Sequence, residues 1–219
     1  MWRAGHWLPV FCMLTMIVQI DVASAGTPEW KSWLKARPDA AQLNVKWDKK
    51  TQVPSGIRGT MALVPENAST SEIVRQVAKE FSVLMGLGQN AVGSNSVEKW
   101  RGQTTYRFTQ QFDGLPVEGH ELVIGVQDNG EVSSLQNALI RFQGELAPRT
   151  IAPEQARTLA LAEFPAGVVA PTEPVEVVLA HGKVPVRAYR VAVRGDRMWF
   201  VYVRADNGRV AWVRDAAIH

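Results

Sequence analysis

The run "YRFTQQFDGLPVEGHELVIGVQDNGEV", residues 106–132, decides the fold. Tyr106, Phe108 and Phe112 fall on one side of its first half, and Leu122, Ile124 and Val126 fall on one side of its second. A period of two over such runs is the signature of half-buried β-strands. Between them sits the compact segment Gly114-Leu115-Pro116-Val117-Glu118-Gly119. Gly114 and Gly119 permit sharp backbone turns, and Pro116 stiffens the link between strands. The closing Asp128-Asn129-Gly130 supplies the left-handed positions of a tight hairpin. The stretch therefore reads as antiparallel strands that meet at a corner.

Upstream, "STSEIVRQVAKEFSVLMGLG" is the clearest helix. Ser69 and Glu72 fit a capping box, Ile73, Val77, Phe81 and Met85 recur along one face, and Gly86 can end it. "TPEWKSWLKA" predicts a short N-terminal helix with Thr27 as cap and Pro28 at the first helical position. Residues 36–65 are rich in turn formers, with two short apolar stretches, and read as a linker that can hold one strand. Downstream the same order recurs. "IAPEQARTLALAEF" predicts a helix with Ala156, Leu159 and Ala160 on one face, and "VEVVLA", "RAYRVAVR" and "MWFVYVRA" follow as strands. Asp206-Asn207-Gly208 then leads into "RVAWV", as Asp128-Asn129-Gly130 leads into its own strand. Two helix-then-antiparallel-sheet units result, with a seam at the Pro and Gly residues of 144–153.

The chain opens with Arg3, an apolar run from Leu8 to Ile20, and Ala23-Ser24-Ala25 before Gly26. That is the layout of a cleavable export signal over 1–25. The run is shorter than the roughly 20 apolar residues that span a bilayer, so no stable membrane anchor is expected. Cys12, the one cysteine, lies in this segment, which leaves the remainder without thiol, disulfide or cysteine ligand. An exported chain is periplasmic or extracellular. The net charge of +3 does not suggest nucleic acid. The charge is uneven, however: from Lys183 to Arg214 eight basic residues face two acidic ones, while residues 26–182 are slightly acidic. Arg190 and Arg194 share one strand face, opposite Tyr189, Val191 and Val193. A one-sided basic surface suits an acidic partner.

Catalytic chemistry is thinly represented. The only His-Glu pair, His120-Glu121, lacks a second histidine at helical zinc-site spacing, and on a strand its two side chains point to opposite faces. There is no Gly-x-Ser-x-Gly elbow and no phosphate-cradling glycine loop. No cofactor and no catalytic or metal-ligating residue is expected, and the chain reads as something other than an enzyme. Trp30 and Trp33, three apart on a helix, are either an exposed docking stripe or a helix pinned to a sheet.

"RFTQQFDGLPVEGHELVIGVQDNGEVSSLQNAL" resembles the fungalysin/thermolysin propeptide module. Its marks here are the Gln-rich strand, Phe112, then Gly114, Leu115, Pro116, Val117 and Gly119, and the Asp128-Asn129-Gly130 turn. Residues 150–215, with "TIAPEQARTLAL" and the hairpin at Asp206, Asn207 and Gly208, are similar to the PepSY module that follows it in precursors of thermolysin-like metalloproteases. The resemblance implies an α+β fold of two lobes, each a curved antiparallel sheet packed on a helix in cystatin-like fashion, preceded by a short N-terminal helix. The divisions are 26–65 for helix and linker, 66–146 and 150–215 for the modules, and 216–219 for a tail. In such modules the Gly114–Gly119 segment is a structural corner that holds no catalytic group.

The resemblance also implies a role. These modules chaperone and inhibit the zinc protease that follows them, and the sequence here runs to His219 without one. A secreted protein that inhibits a thermolysin-like metalloprotease, or assists its folding, in trans is therefore the first expectation. A PepSY-type binding module with another target, or the remnant of a truncated precursor, is the alternative. Arg190 and Arg194 are the candidate contacts on the sheet, and Asp215, Ala216, Ala217, Ile218 and His219 those on the tail. In such precursors this segment leads to the cleavage site.

Overall fold

Ser69 is extended, at φ −72° and ψ 120°, and the helix expected after it runs over α2, Thr70–Leu84. The computed structural model describes residues 26–88, 90–164, 168–169 and 172–217. The expected signal segment 1–25, and Ile218 and His219 of the tail, lie outside them. The buried stripe of α2 is Val74, Val77, Ala78 and Phe81, an i, i+3, i+4, i+7 pattern. Ile73 and Met85 flank that stripe as partly buried neighbours. The capping box is not formed: the Ser69 side chain makes no cap bond, and its carbonyl accepts from the Glu72 amide at 3.0 Å. Gly86, at φ +71°, closes the helix as expected.

The N-terminal helix is α1, Pro28–Lys35. Trp30 and Trp33 are 2% and 8% exposed, so the pinned helix, not the docking stripe, is what forms. Both rings meet Phe81 edge-on, with centroids 4.9 and 6.1 Å away. Trp33 Nε1 donates to Glu80 at 3.1 Å, and Arg37 closes the group by pairing Glu80 at 3.0 Å. The linker 36–65 is more ordered than its composition suggests. It holds a short 3₁₀ turn at Ala40–Gln42 and the strands β1, Asn44–Trp47, and β2, Pro54–Leu63.

The opening stretch of sequence lies in a four-stranded antiparallel meander, β3 (Val92–Trp100), β4 (Gln103–Phe112), β5 (Leu115–Gln127) and β6 (Glu131–Asn137). Strands β2 and β1 continue the sheet beyond β6. Tyr106, Phe108, Leu122, Ile124, Val126, Val132 and Leu135 face α1 and α2 in one apolar core. Phe112 leaves that core after a register shift between Thr109 and Gln111, and packs edge-on to Phe142 at 4.9 Å.

After a connection over 138–152 without helix or strand, the second unit repeats the plan. Helix α3, Pro153–Ala162, is followed by the short β7 (Val168–Val169) and a meander of β8 (Val175–His181), β9 (Val184–Arg194), β10 (Met198–Arg204) and β11 (Val210–Asp215). Ala156 and Ala160 pack on Tyr189, Val191, Val193, Val201 and Val203. Leu159, expected on that face, is 37% exposed. Its position suits contact with the 206–208 turn, where an added Cβ on Gly208 would lie 3.2 Å from Leu159 Cδ1.

The two Asp-Asn-Gly turns are the same device. In each, the Asn side-chain oxygen accepts the amide two residues on, Glu131 in one and Arg209 in the other, both at 3.0 Å. In each, the glycine is left-handed, at φ +81° and +73°. The α+β class, the helices on antiparallel sheets and the leading helix are all present. The structure adds a junction: Val117 of β5 pairs parallel with Val178 of β8, so the eleven strands among the described residues form one mixed sheet.

Candidate partner-binding surface

Asp113 and Gly114 turn the chain from β4 to β5 with positive φ at both residues, +53° and +76°, and Phe112 opposite Leu115. Two successive left-handed residues make the hairpin turn whose twist suits antiparallel strands. Beyond it, Leu115 and Pro116 still pair with β4; β5 then meets the second sheet at Val117, passes Gly119 at φ +72°, and rejoins β4 at Glu121 and β6 at Leu122. The corner is thus the bridge between the lobes. Val117 is fully buried there.

Glu118, the one residue of Gly114–Gly119 without a part in the sequence-based motif, holds the most connected position. Its side chain is 8% exposed. Oε1 accepts from the Tyr202 hydroxyl and from Arg214 Nη2, both at 2.8 Å, and Oε2 accepts from Arg190 Nη1 at 3.1 Å. All three donors belong to the second sheet, on the face opposite α3. Phe200 lies under both guanidinium groups, 5.1 Å from Arg190 and 5.6 Å from Arg214, and Trp212 stacks on Tyr202 at 5.1 Å. Burial first, and then the Glu118 hydrogen bond and charge, push the Tyr202 phenol above its ordinary range. It stays a donor.

A second carboxylate of the corner, Asp113, meets Arg187 at 3.4 Å, and Arg187 is held by Glu176 at 2.6 Å. Asp113 is largely exposed, so that pair contributes little. Beside Glu118 a cavity of about 440 Å³ opens between the lobes, lined by His120, Leu179, His181, Val186 and Trp212 among others. His120 Nδ1 donates to the Ala138 carbonyl at 2.6 Å. Among the described residues no three His, Cys, Asp or Glu side chains are grouped to hold a metal ion.

The sequence-derived contacts are placed as follows. Arg190 lies on the face opposite Tyr189, Val191 and Val193, and its charge is met inside the chain by Glu118. Arg194 lies at the exposed end of β9, with no ion pair among the described residues. Asp215 ends β11, 8% exposed, and is held by Arg197 at 2.8 Å and by the Ala217 amide at 2.9 Å. Those two bonds, the Arg197 one first, hold its carboxyl below the usual aspartate range. Ala216 donates to the Met198 carbonyl at 2.9 Å, so the tail begins fastened to the sheet. Arg204 and Asp206 form a bidentate pair at 2.9 and 2.6 Å beside the second turn, which raises the arginine and lowers the aspartate.

Comparison with known proteins matches residues 92–139 to the fungalysin/thermolysin propeptide motif. That range is the β3–β6 meander with its corner. Thermolysins of Alicyclobacillus acidocaldarius subsp. acidocaldarius, Bacillus caldolyticus and Bacillus sp. (strain EA1) are each 29% identical over 195 residues. The match covers 78% of this chain and 34% of each relative, so the chain spans about a third of their length. The matched motif is a propeptide unit, not a catalytic domain. Among solved structures, the C-terminal domain of Bacillus megaterium YpeB aligns with TM-score 0.45 and 13% identity, over 85% of this chain and 94% of that one. No helix of the described residues is long and apolar enough to cross a membrane.

Proposed function

We propose that this chain is an exported, prosegment-like protein that binds a thermolysin-like zinc metalloprotease in trans, inhibiting it, assisting its folding, or both. The observation that carries the reading is the propeptide motif over 92–139, which coincides with the β3–β6 meander and its corner. The similarity to thermolysins supports the choice of partner. Arg194 and the segment from Asp215 to His219 are its proposed contacts. Arg190 acts indirectly, through the corner. The chain itself is proposed to lack proteolytic activity.

The experiment is direct. The purified chain, with and without zinc, is assayed on casein, and is then titrated into a thermolysin-like protease acting on a short peptide substrate. The reading expects no hydrolysis by the chain alone and saturable, stoichiometric inhibition of the protease, or an increased yield when the denatured protease is refolded beside it. Zinc-dependent proteolysis by the chain, or neither inhibition nor increased yield, would overturn it.

A further inference from the structure

Arg190, Arg214 and Tyr202 come from three neighbouring strands, and their donors converge on one point. That point is occupied by a carboxylate carried on the other lobe. The set has what carboxylate recognition requires: two guanidinium groups for charge, a hydroxyl that stays protonated, and aromatic faces of Phe200 and Trp212 that fix the guanidinium planes. The site is also reachable. The Arg190 and Arg214 side chains keep 32% and 22% of their exposure, and a cavity lined by Glu118 and Trp212 opens beside the carboxylate they hold. Backbone pairing around Glu118 is sparse, since the two sheets share the single pair Val117 and Val178.

We propose that Arg190, Arg214 and Tyr202 form a carboxylate receptor on the second sheet, filled in cis by Glu118, and that an acidic side chain of a partner polypeptide occupies it when Glu118 withdraws. The contact is then both a lock between the lobes and an autoinhibitory plug. This does not depend on the partner being a protease. The positive charge of the second lobe, uneven in sequence, is thereby partly offset at this point by the first lobe.

Replacing Glu118 by alanine removes the resident carboxylate and leaves room for a small one. The chain carrying Glu118→Ala is titrated with sodium acetate, and separately with sodium chloride at matched ionic strength, while its thermal midpoint and tryptophan fluorescence are followed. The expected result is a lowered midpoint that acetate raises saturably, recovering at least half of the deficit, where chloride does not. The unaltered chain and the double variant Glu118→Ala/Arg214→Met should respond equally to both salts. Equal responses of Glu118→Ala to acetate and chloride overturn the proposal. Should Glu118→Ala not fold in chloride, refolding from urea is compared in the two salts: folded protein in acetate alone supports the receptor, and none in either overturns it.

Discussion

Gln110 is 1% exposed, and the structure uses both ends of its amide. Nε2 donates to the Ile140 carbonyl at 2.7 Å, and the Ile140 amide donates to Oε1 at 2.9 Å. The side chain thereby mimics a strand for the connection that leaves the first sheet. Gln110→Leu keeps the bulk and deletes both bonds. Each such bond is worth roughly 0.5–1.5 kcal/mol net, and orphaning a buried group adds about 1–3 kcal/mol. Ile140 is only partly buried, so water relieves some of that, and the leucine gains some transfer energy. We expect a net loss of about 2–4 kcal/mol, which for a chain of this size lowers the thermal midpoint by roughly 4–16 °C. Circular dichroism melts against the exposed control Gln136→Leu are the assay. Gln110→Glu sharpens it, because an ionised glutamate opposes the Ile140 carbonyl while a protonated one can donate to it. Its folded-state pKa is raised, so the folded chain binds more protons than the unfolded one and stability grows as pH falls. If Gln110→Leu melts within about 1 °C of the control, the two bonds do not hold the connection and the reasoning fails.

Gly119 has positive φ but nothing within 4 Å of an added Cβ, so Gly119→Ala should lose about 1–2 kcal/mol from conformation alone, and Gly119→Asn less; equal losses in urea titrations would contradict this. Asp215→Asn should flatten the acid limb of the stability curve: the depressed aspartate stabilises the fold above its unfolded pKa, and that contribution is lost as pH falls from the ordinary range, near 3.9, to the lowered folded value. An unchanged limb would show that the Arg197 pair is idle. Arg194→Glu should slow association with the protease and weaken its salt dependence, since exposed charges act over about 8 Å at physiological ionic strength. The same rate at all salt concentrations removes Arg194 from the interface. Finally, Glu118→Leu with Arg190→Met and Arg214→Met should stay about as stable as the parent, while Glu118→Leu alone loses roughly 3–5 kcal/mol. Equal stability of the single and triple variants would refute the charge argument.

What was legible in the sequence was local. Strand periodicity located β4, β5 and all four strands of the second meander, and the paired Asp-Asn-Gly turns revealed the repeat, because side-chain alternation and left-handed positions are written within a few residues. Linker strands β1 and β2 are obscured by Gly, Pro and Lys residues, whose turn propensity is overridden when β2 pairs with the sequence-distant β6 and β1 adds to the outer edge of β2. Glu118 was missed for the same reason. An acid in a Gly/Pro corner reads as solvent-facing, and its partners lie 72, 84 and 96 residues later. The alternation of β9 places Arg190 on the polar face of its strand, but no local pattern can show that this face is met by another lobe's carboxylate.

The placement of that carboxylate has a physical logic. Two sheets joined through one residue pair have no ladder to fix their mutual angle, and apolar contact between Val117 and its surroundings is non-directional. Hydrogen bonds from guanidinium and hydroxyl groups are directional and short. A buried ion cluster adds little net stability over apolar packing, and its best-attested use is to specify one arrangement among several of similar energy. Arranged around Glu118, the cluster does for the lobes what a strand ladder does within each of them. It also explains why the acid stands at the corner itself: Leu115 and Pro116 pair with β4, β5 rejoins that strand at Glu121, and Glu118 lies in the unpaired interval between them, next to Val117 where the second sheet is met.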